Sequence, residues 1–93
     1  MIPYGHQNID QNDIKEVIKA LKSDWLTQGP KVVEFEKALA KYCGAEYAVA
    51  VNNGTAALHL AYLAAGLKVG DEVITTPNTF AATTNMLLVV GAK

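Results

Sequence analysis

Ala48-Val49-Ala50-Val51 is an apolar run with no polar alternation, and it leads straight into Asn52-Asn53-Gly54-Thr55 and an alanine-rich segment. Nothing else in the chain restricts the fold as much. An unalternating apolar run closed by a turn reads as a strand buried on both faces, as in a parallel sheet covered by helices. The order then repeats downstream: an extended stretch, a turn at Pro77-Asn78-Thr79-Phe80, a helical stretch, and a stop at Gly91. The expected strands are about Tyr47–Val51 and Glu72–Thr76, and the expected helices about Thr55–Ala65 and Thr79–Val90. The first of these helices is apolar nearly all round, so it too is expected to be buried. This β-α-β-α order argues for a doubly wound α/β sheet with right-handed crossovers. Two strands do not complete such a sheet, and the chain ends where a third is expected.

Two helices precede this pattern. Residues 1–9 read as an extended lead-in, held so by Ile2-Pro3. Asp10 or Asn12 can cap the first helix, in which Ile14, Val17, Ile18 and Leu21 form one apolar face at helical spacing. Lys19 and Lys22 suit the negative end of its dipole. Ser23 to Pro30 reads as a loop, with Pro30 at the first position of a second helix. Val32, Phe35, Leu39 and Tyr42 give that helix its apolar face, and Gly44 is a natural left-handed stop.

Composition narrows the function classes. With 93 residues the chain is long enough for one small domain. Apolar residues make up 51% and charged residues 18%, an apolar balance for so short a chain that hints at missing partner surface. Net charge is −1 and the eight lysines are scattered, so neither nucleic acid nor an anionic membrane is an expected partner. Met1 to Asp10 lacks the apolar core of a signal peptide, and no stretch approaches the ~20 apolar residues a spanning helix needs. Cys43 stands alone and is expected to be a small buried hydrophobe near a helix end. A single cysteine suits a reducing, cytoplasmic setting.

Three stretches can carry chemistry. In Val51-Asn52-Asn53-Gly54-Thr55, backbone N–H groups at the new helix start and the helix dipole favour an anion. Thr55 adds a hydroxyl, and Gly54 lets a ligand approach the backbone. Neither GxxxxGK[ST] nor GxGxxG is present, so a single phosphate suits the turn better than a triphosphate or pyrophosphate; the turn also reads as plain structural punctuation. The second stretch, Thr75 to Thr83, lies at the carboxyl end of the second expected strand, where open α/β sheets bind ligands. Phe80 there reads either as a core staple of the fourth helix or as a flat ring covering a flat ligand. The third is the loop Asp24-Trp25-Leu26-Thr27-Gln28-Gly29, in which Trp25 either folds back on the helices or edges a pocket. His59, inside an apolar helix, reads as a hydrogen-bonded core histidine. His6 and His59 lack partners at metal-ligand spacing, so no metal site is expected.

Taken together, "IPYGHQNID", "DWLTQGPKVVEFE", "YAVAVNNGTAALHLA" and "GDEVITTPNTFAATTN" resemble the N-terminal part of the DegT/DnrJ/EryC1/StrS sugar aminotransferases. The resemblance covers essentially the whole chain and is nearest to the pseudaminic-acid pathway branch. It implies pyridoxal phosphate (PLP) as cofactor. It also implies an α/β fold: the opening part of the aspartate-aminotransferase (PLP fold type I) large domain, with about four helices, two short strands and an incomplete sheet. Residues 1–30 would be lead-in, first helix and substrate-side loop, and residues 31–93 the start of the PLP-binding domain.

The implied activity is transfer of an amino group from glutamate to C4 of a UDP-linked 4-keto-6-deoxy sugar, in a cytoplasmic homodimer. By the same resemblance, Gly54, Thr55 and Ala56 would cradle the PLP phosphate and Phe80 would stack on the pyridine ring. Tyr4, Asp24, Trp25, Leu26 and Thr27, with Gly54 close by, would face the nucleotide sugar. The family's covalent cofactor lysine and the aspartate that pairs with the pyridine nitrogen match nothing here. The 93 residues alone are therefore expected to be inactive and to bind PLP weakly or not at all. The alternative readings are a non-catalytic phosphate-ligand module and a self-associating structural fragment whose unpaired strand edge pairs between copies.

Overall fold

The computed structural model describes residues 5–93; Tyr4 and the Ile2-Pro3 lead-in lie outside the described residues. Among the described residues there are four helices: α1 (Gln11–Leu21), α2 (Pro30–Cys43), α3 (Gly54–Ala64) and α4 (Ala82–Val90). The chain divides into two compact units, residues 1–50 and 51–93.

In the first unit, Asp10 caps α1. Its carboxylate accepts from Asn12 N–H at 2.7 Å and Asp13 N–H at 3.0 Å, while Asp13 Oδ2 accepts from Asp10 N–H at 2.8 Å. This reciprocal box satisfies donors the helix cannot reach internally and is worth ~1 kcal/mol. α2 begins on Pro30 and ends at Gly44, whose φ of 66° is the left-handed conformation that glycine adopts without strain. One ion pair joins the helices: Lys31 Nζ lies 3.4 Å from Glu16 Oε2. Lys31 also pairs with Glu34 at 2.7 Å, and Lys19 with Glu16.

In the second unit α3 and α4 pack against one another. Tyr62 Oη donates to Thr83 O at 3.1 Å, tying the end of α3 to the first turn of α4. Ala82, Leu87 and Ala92 are the buried residues of this unit. Gly91 (φ 83°) turns the chain out of α4, and residues 91–93 then run beside 70–73. Gly70 N–H donates to Gly91 O at 2.9 Å, Lys93 N–H to Asp71 O at 2.7 Å, and Val73 N–H to Lys93 O at 2.9 Å. The last two bonds flank Glu72 in the alternating manner of a parallel pairing. A side chain at 91 would lie 2.7 Å from Val69 Cγ2 and 3.2 Å from its Cα, so Gly91 is needed both for its φ and for this approach.

Several expectations are corrected. The stretches Tyr47–Val51 and Glu72–Thr76 form no strand among the described residues. A ladder needs a neighbour along its length. Residues 70–73 find only the short partner 91–93, and within residues 47–50 the one N–H bonded is that of Ala50, to Glu36 Oε1 at 2.8 Å. Burial on both faces fails for the same reason: Val49 is 76% exposed and Ile74 fully so. α3 buries no residue completely, and His59 is half-buried with no side-chain hydrogen bond among the described residues. Cys43 is exposed on the last turn of α2 rather than buried. α4 starts at Ala82 and not Thr79, because Asn78 N–H bonds back to Thr76 Oγ1 at 3.3 Å and Thr83 N–H to Phe80 O, which keeps residues 77–81 in turns.

Two outcomes follow. Gly91→Ala is expected to lose at least ~1–2 kcal/mol from the left-handed conformation alone, and more through the Val69 contact. Gly66→Ala (φ 79°, open space around it) should lose only the conformational part. Amide exchange at Val73 reads the difference, since only Gly91→Ala should expose that N–H. The second outcome concerns pH. The hydrogen bond from Lys19 holds the Glu16 carboxyl below its usual 4.5, and the bond to Glu34 holds Lys31 above its usual 10.5. A depressed carboxyl stabilises above its unfolded pKa and loses this as pH falls through the folded value. A raised ammonium stabilises below its unfolded pKa and loses this as pH rises through the folded value. Helicity of the first unit, followed by circular dichroism, should therefore plateau between these limits and fall at both ends. Salt should lower the plateau slightly, these groups being exposed, and Glu16→Gln should shrink the acid limb, Glu34 and the Asp10–Asp13 cap accounting for what remains.

Candidate cofactor-phosphate site

The start of α3 is built by Asn53. Its backbone is extended (φ −164°, ψ 167°), its Oδ1 accepts from Ala56 N–H at 2.8 Å, and its carbonyl accepts from Ala57 N–H at 3.1 Å. That leaves the N–H groups of Gly54 and Thr55 without a hydrogen-bond partner among the described residues. The helix dipole adds partial positive charge at the same end. Gly54 has an ordinary φ, and a Cβ built on it meets nothing within 4 Å. Neither conformation nor crowding within the chain therefore requires glycine here. The open space lies beside two free donors and the half-buried Thr55, a place where an anion can reach the backbone. Ala56, expected in the cradle, already gives its N–H to Asn53, so an incoming phosphate would share or displace that bond.

Phe80 stands in the turn before α4, two residues ahead of its first residue, and is 74% exposed. The reading of Phe80 as a core staple of α4 does not hold in this chain. Thr79 Oγ1 and Thr83 Oγ1 are 2.9 Å apart across the turn, and Thr84 Oγ1 donates to Ala81 O at 3.1 Å. Gly54, Thr55, Ala56 and Phe80 all belong to the unit of residues 51–93, whose two helices pack together.

Asp24, Trp25, Leu26 and Thr27 belong to the other unit. Trp25 is 65% exposed, yet with Val17, Leu21, Gly29, Lys31 and Val32 it lines a recess of about 240 Å³ between α1, α2 and their loop. Trp25 edges this recess while most of its surface stays exposed. Tyr4 lies outside the described residues. Sequence reasoning missed three participants. Glu36 holds the backbone of Ala50, Gln28 takes a positive φ of 45°, and Gly29 lies against Trp25. The Gln-Gly-Pro run signals the last two as a turn; a carboxylate reaching a backbone fourteen residues away leaves no local signal.

Comparison with known proteins identifies the family. Residues 7–93 match the model of the DegT/DnrJ/EryC1/StrS aminotransferase family, and the chain belongs to that family. It is 57% identical over 93 residues to the UDP-4-amino-4,6-dideoxy-N-acetyl-beta-L-altrosamine transaminase of Campylobacter jejuni serotype O:23/36, covering 100% of this chain and 24% of that protein. It is 50% identical over 91 residues to the spore coat polysaccharide biosynthesis protein SpsC of Bacillus subtilis, covering 98% and 23%. Among solved structures it superposes with a TM-score of 0.86 on Spr1654 of Streptococcus pneumoniae, described as a sugar aminotransferase and solved in PLP and PMP forms. Identity is 37%, over 99% of this chain and 24% of the PLP form. The chain thus spans about a quarter of the length of the relatives it matches. No helix among the described residues is long and apolar enough to cross a membrane.

The cap is testable by itself. Asn53→Ala is expected to destabilise the α3 start by ~1 kcal/mol and to speed exchange of the Ala56 amide. Asn53→Ser, which keeps an acceptor, should leave that amide protected.

Proposed function

We propose that these residues form the opening part of a PLP-dependent aminotransferase acting on a nucleotide-linked 4-keto-6-deoxy sugar, with glutamate as amino donor. In this reading residues 1–30 supply the lead-in and the substrate-side loop, and residues 31–93 begin the cofactor-binding large domain of a cytoplasmic homodimer. The observation that carries it is the α3 start: two N–H groups without partners, the Thr55 hydroxyl, and open space where Gly54 lacks a side chain. Family membership and the likeness to an altrosamine transaminase support the substrate class.

PLP bound here would supply an electron sink for moving the amino group. The chain's own residues bind and orient. Gly54 N–H, Thr55 N–H and the Thr55 hydroxyl would hold the phosphate, and the helix dipole would strengthen each bond. Ala56 N–H joins them as Asn53 Oδ1 yields. The exposed ring of Phe80 would be the residue to stack on the pyridine and keep water from it. Within the first unit the loop Asp24, Trp25, Leu26 and Thr27 is the proposed contribution to binding the nucleotide sugar; the same role proposed for Tyr4 lies outside the described residues. No lysine in these 93 residues matches the family's covalent one, so by themselves they hold the cofactor weakly and do not transaminate.

The test is a chimera in which this chain replaces the matching segment of the Campylobacter jejuni transaminase. It is expected to load PLP and transaminate the parent's substrate. Gly54→Val, which fills the space beside the free donors, should lower PLP retention roughly a hundredfold, the scale of losing an oriented contact. A folded chimera that loads no PLP, or one whose loading Gly54→Val leaves unchanged, overturns the reading.

A further inference from the structure

The loop between α1 and α2 contains a contact that only glycine permits. Gly29 has φ −79° and ψ −172°, a conformation open to any residue, so its backbone does not explain the glycine. Its surroundings do. A Cβ at position 29 would lie 2.6 Å from Trp25 Cβ, 3.4 Å from Trp25 Cγ and 3.5 Å from Trp25 O. No flexible side-chain end can move aside, because the atoms in the way are the root of the indole and the backbone. The preceding Gln28, with φ 45°, brings the Gly29 backbone there; it is the one non-glycine residue with positive φ among those described. From the other side, Ser23 Oγ accepts Trp25 N–H at 3.3 Å and lies 3.0 Å from Trp25 O. Trp25 is thus held at its backbone by Ser23 and at its Cβ by Gly29, while the ring stays largely exposed along the recess.

We infer that Gly29 is a positioning residue: its missing side chain sets the direction in which Trp25 presents its indole, and through Trp25 it sets affinity for the nucleotide-sugar substrate. This rests on the proposed reading of the loop as substrate-facing. Gly29 also precedes α2 as its cap without a side-chain bond, a position where serine is otherwise favoured.

Gly29→Ser separates the two roles, since serine caps helices well but carries a Cβ. In the 93-residue chain, Gly29→Ser is expected to keep the helical circular dichroism while shifting the emission maximum and quenching of the single tryptophan. In the active chimera it is expected to raise KM for the nucleotide sugar about tenfold, as misplaced contacts do, with kcat and the KM for glutamate within about twofold. In a Trp25→Gly background, Gly29→Ser should add no further rise, because the pair acts as a unit. Unchanged tryptophan emission, or unchanged KM in an active chimera, overturns the inference. A chimera inactive before any substitution counts against the proposed function instead, and the emission measurement then decides on Gly29.

Discussion

Backbone groups of an extended segment need a neighbour, and most of what this chain does and does not form follows from where neighbours exist. Residues 70–73 have one because α4 returns the chain beside them, and that return depends on Gly91, which meets both a left-handed φ and a close approach to Val69. Residues 47–50 have a side chain in place of a strand, the Glu36 carboxylate on Ala50 N–H. The two turns of chemical interest each follow one of these segments.

The same accounting of donors explains the candidate site. Asn53 satisfies Ala56 N–H with its side chain and Ala57 N–H with its carbonyl, and the two preceding donors, Gly54 and Thr55 N–H, have no partner among the described residues. Glycine at 54 keeps the approach open without being demanded by the backbone. Glycine at 29 has the opposite logic: its space is filled by Trp25, so its lack of a side chain serves packing rather than access. One residue type thus appears twice in the proposed binding machinery for two different physical reasons.

Local signals were legible at most helix ends. Pro30, Gly44 and Gly91 each stand where their backbone preferences placed them, and the choice between Asp10 and Asn12 is settled by the reciprocal bond with Asp13, which Asn12 cannot make. The phosphate reading of the Gly54 turn also came from local features, the order of apolar run, turn and helix. Burial was not legible in the same way. Val49, Ile74 and Cys43 have the residue types of an interior yet lie exposed, because burial depends on a covering surface and these residues supply little of it for one another. Relatives some four times longer share this segment, and the apolar excess of the composition is consistent with surface meant for such a context.

By itself the sequence determined the four helices, the cap of α1, the Pro30 start of α2, the glycine stops of α2 and α4, and the family, because each depends on residues within a few positions of one another or on a run of matched motifs. The tertiary structure alone decided that the expected strands stay unladdered, that Phe80 is exposed, that Glu36 holds Ala50, and that Gly29 closes on Trp25. Those outcomes depend on which groups meet across space, and spacing along a chain does not specify that.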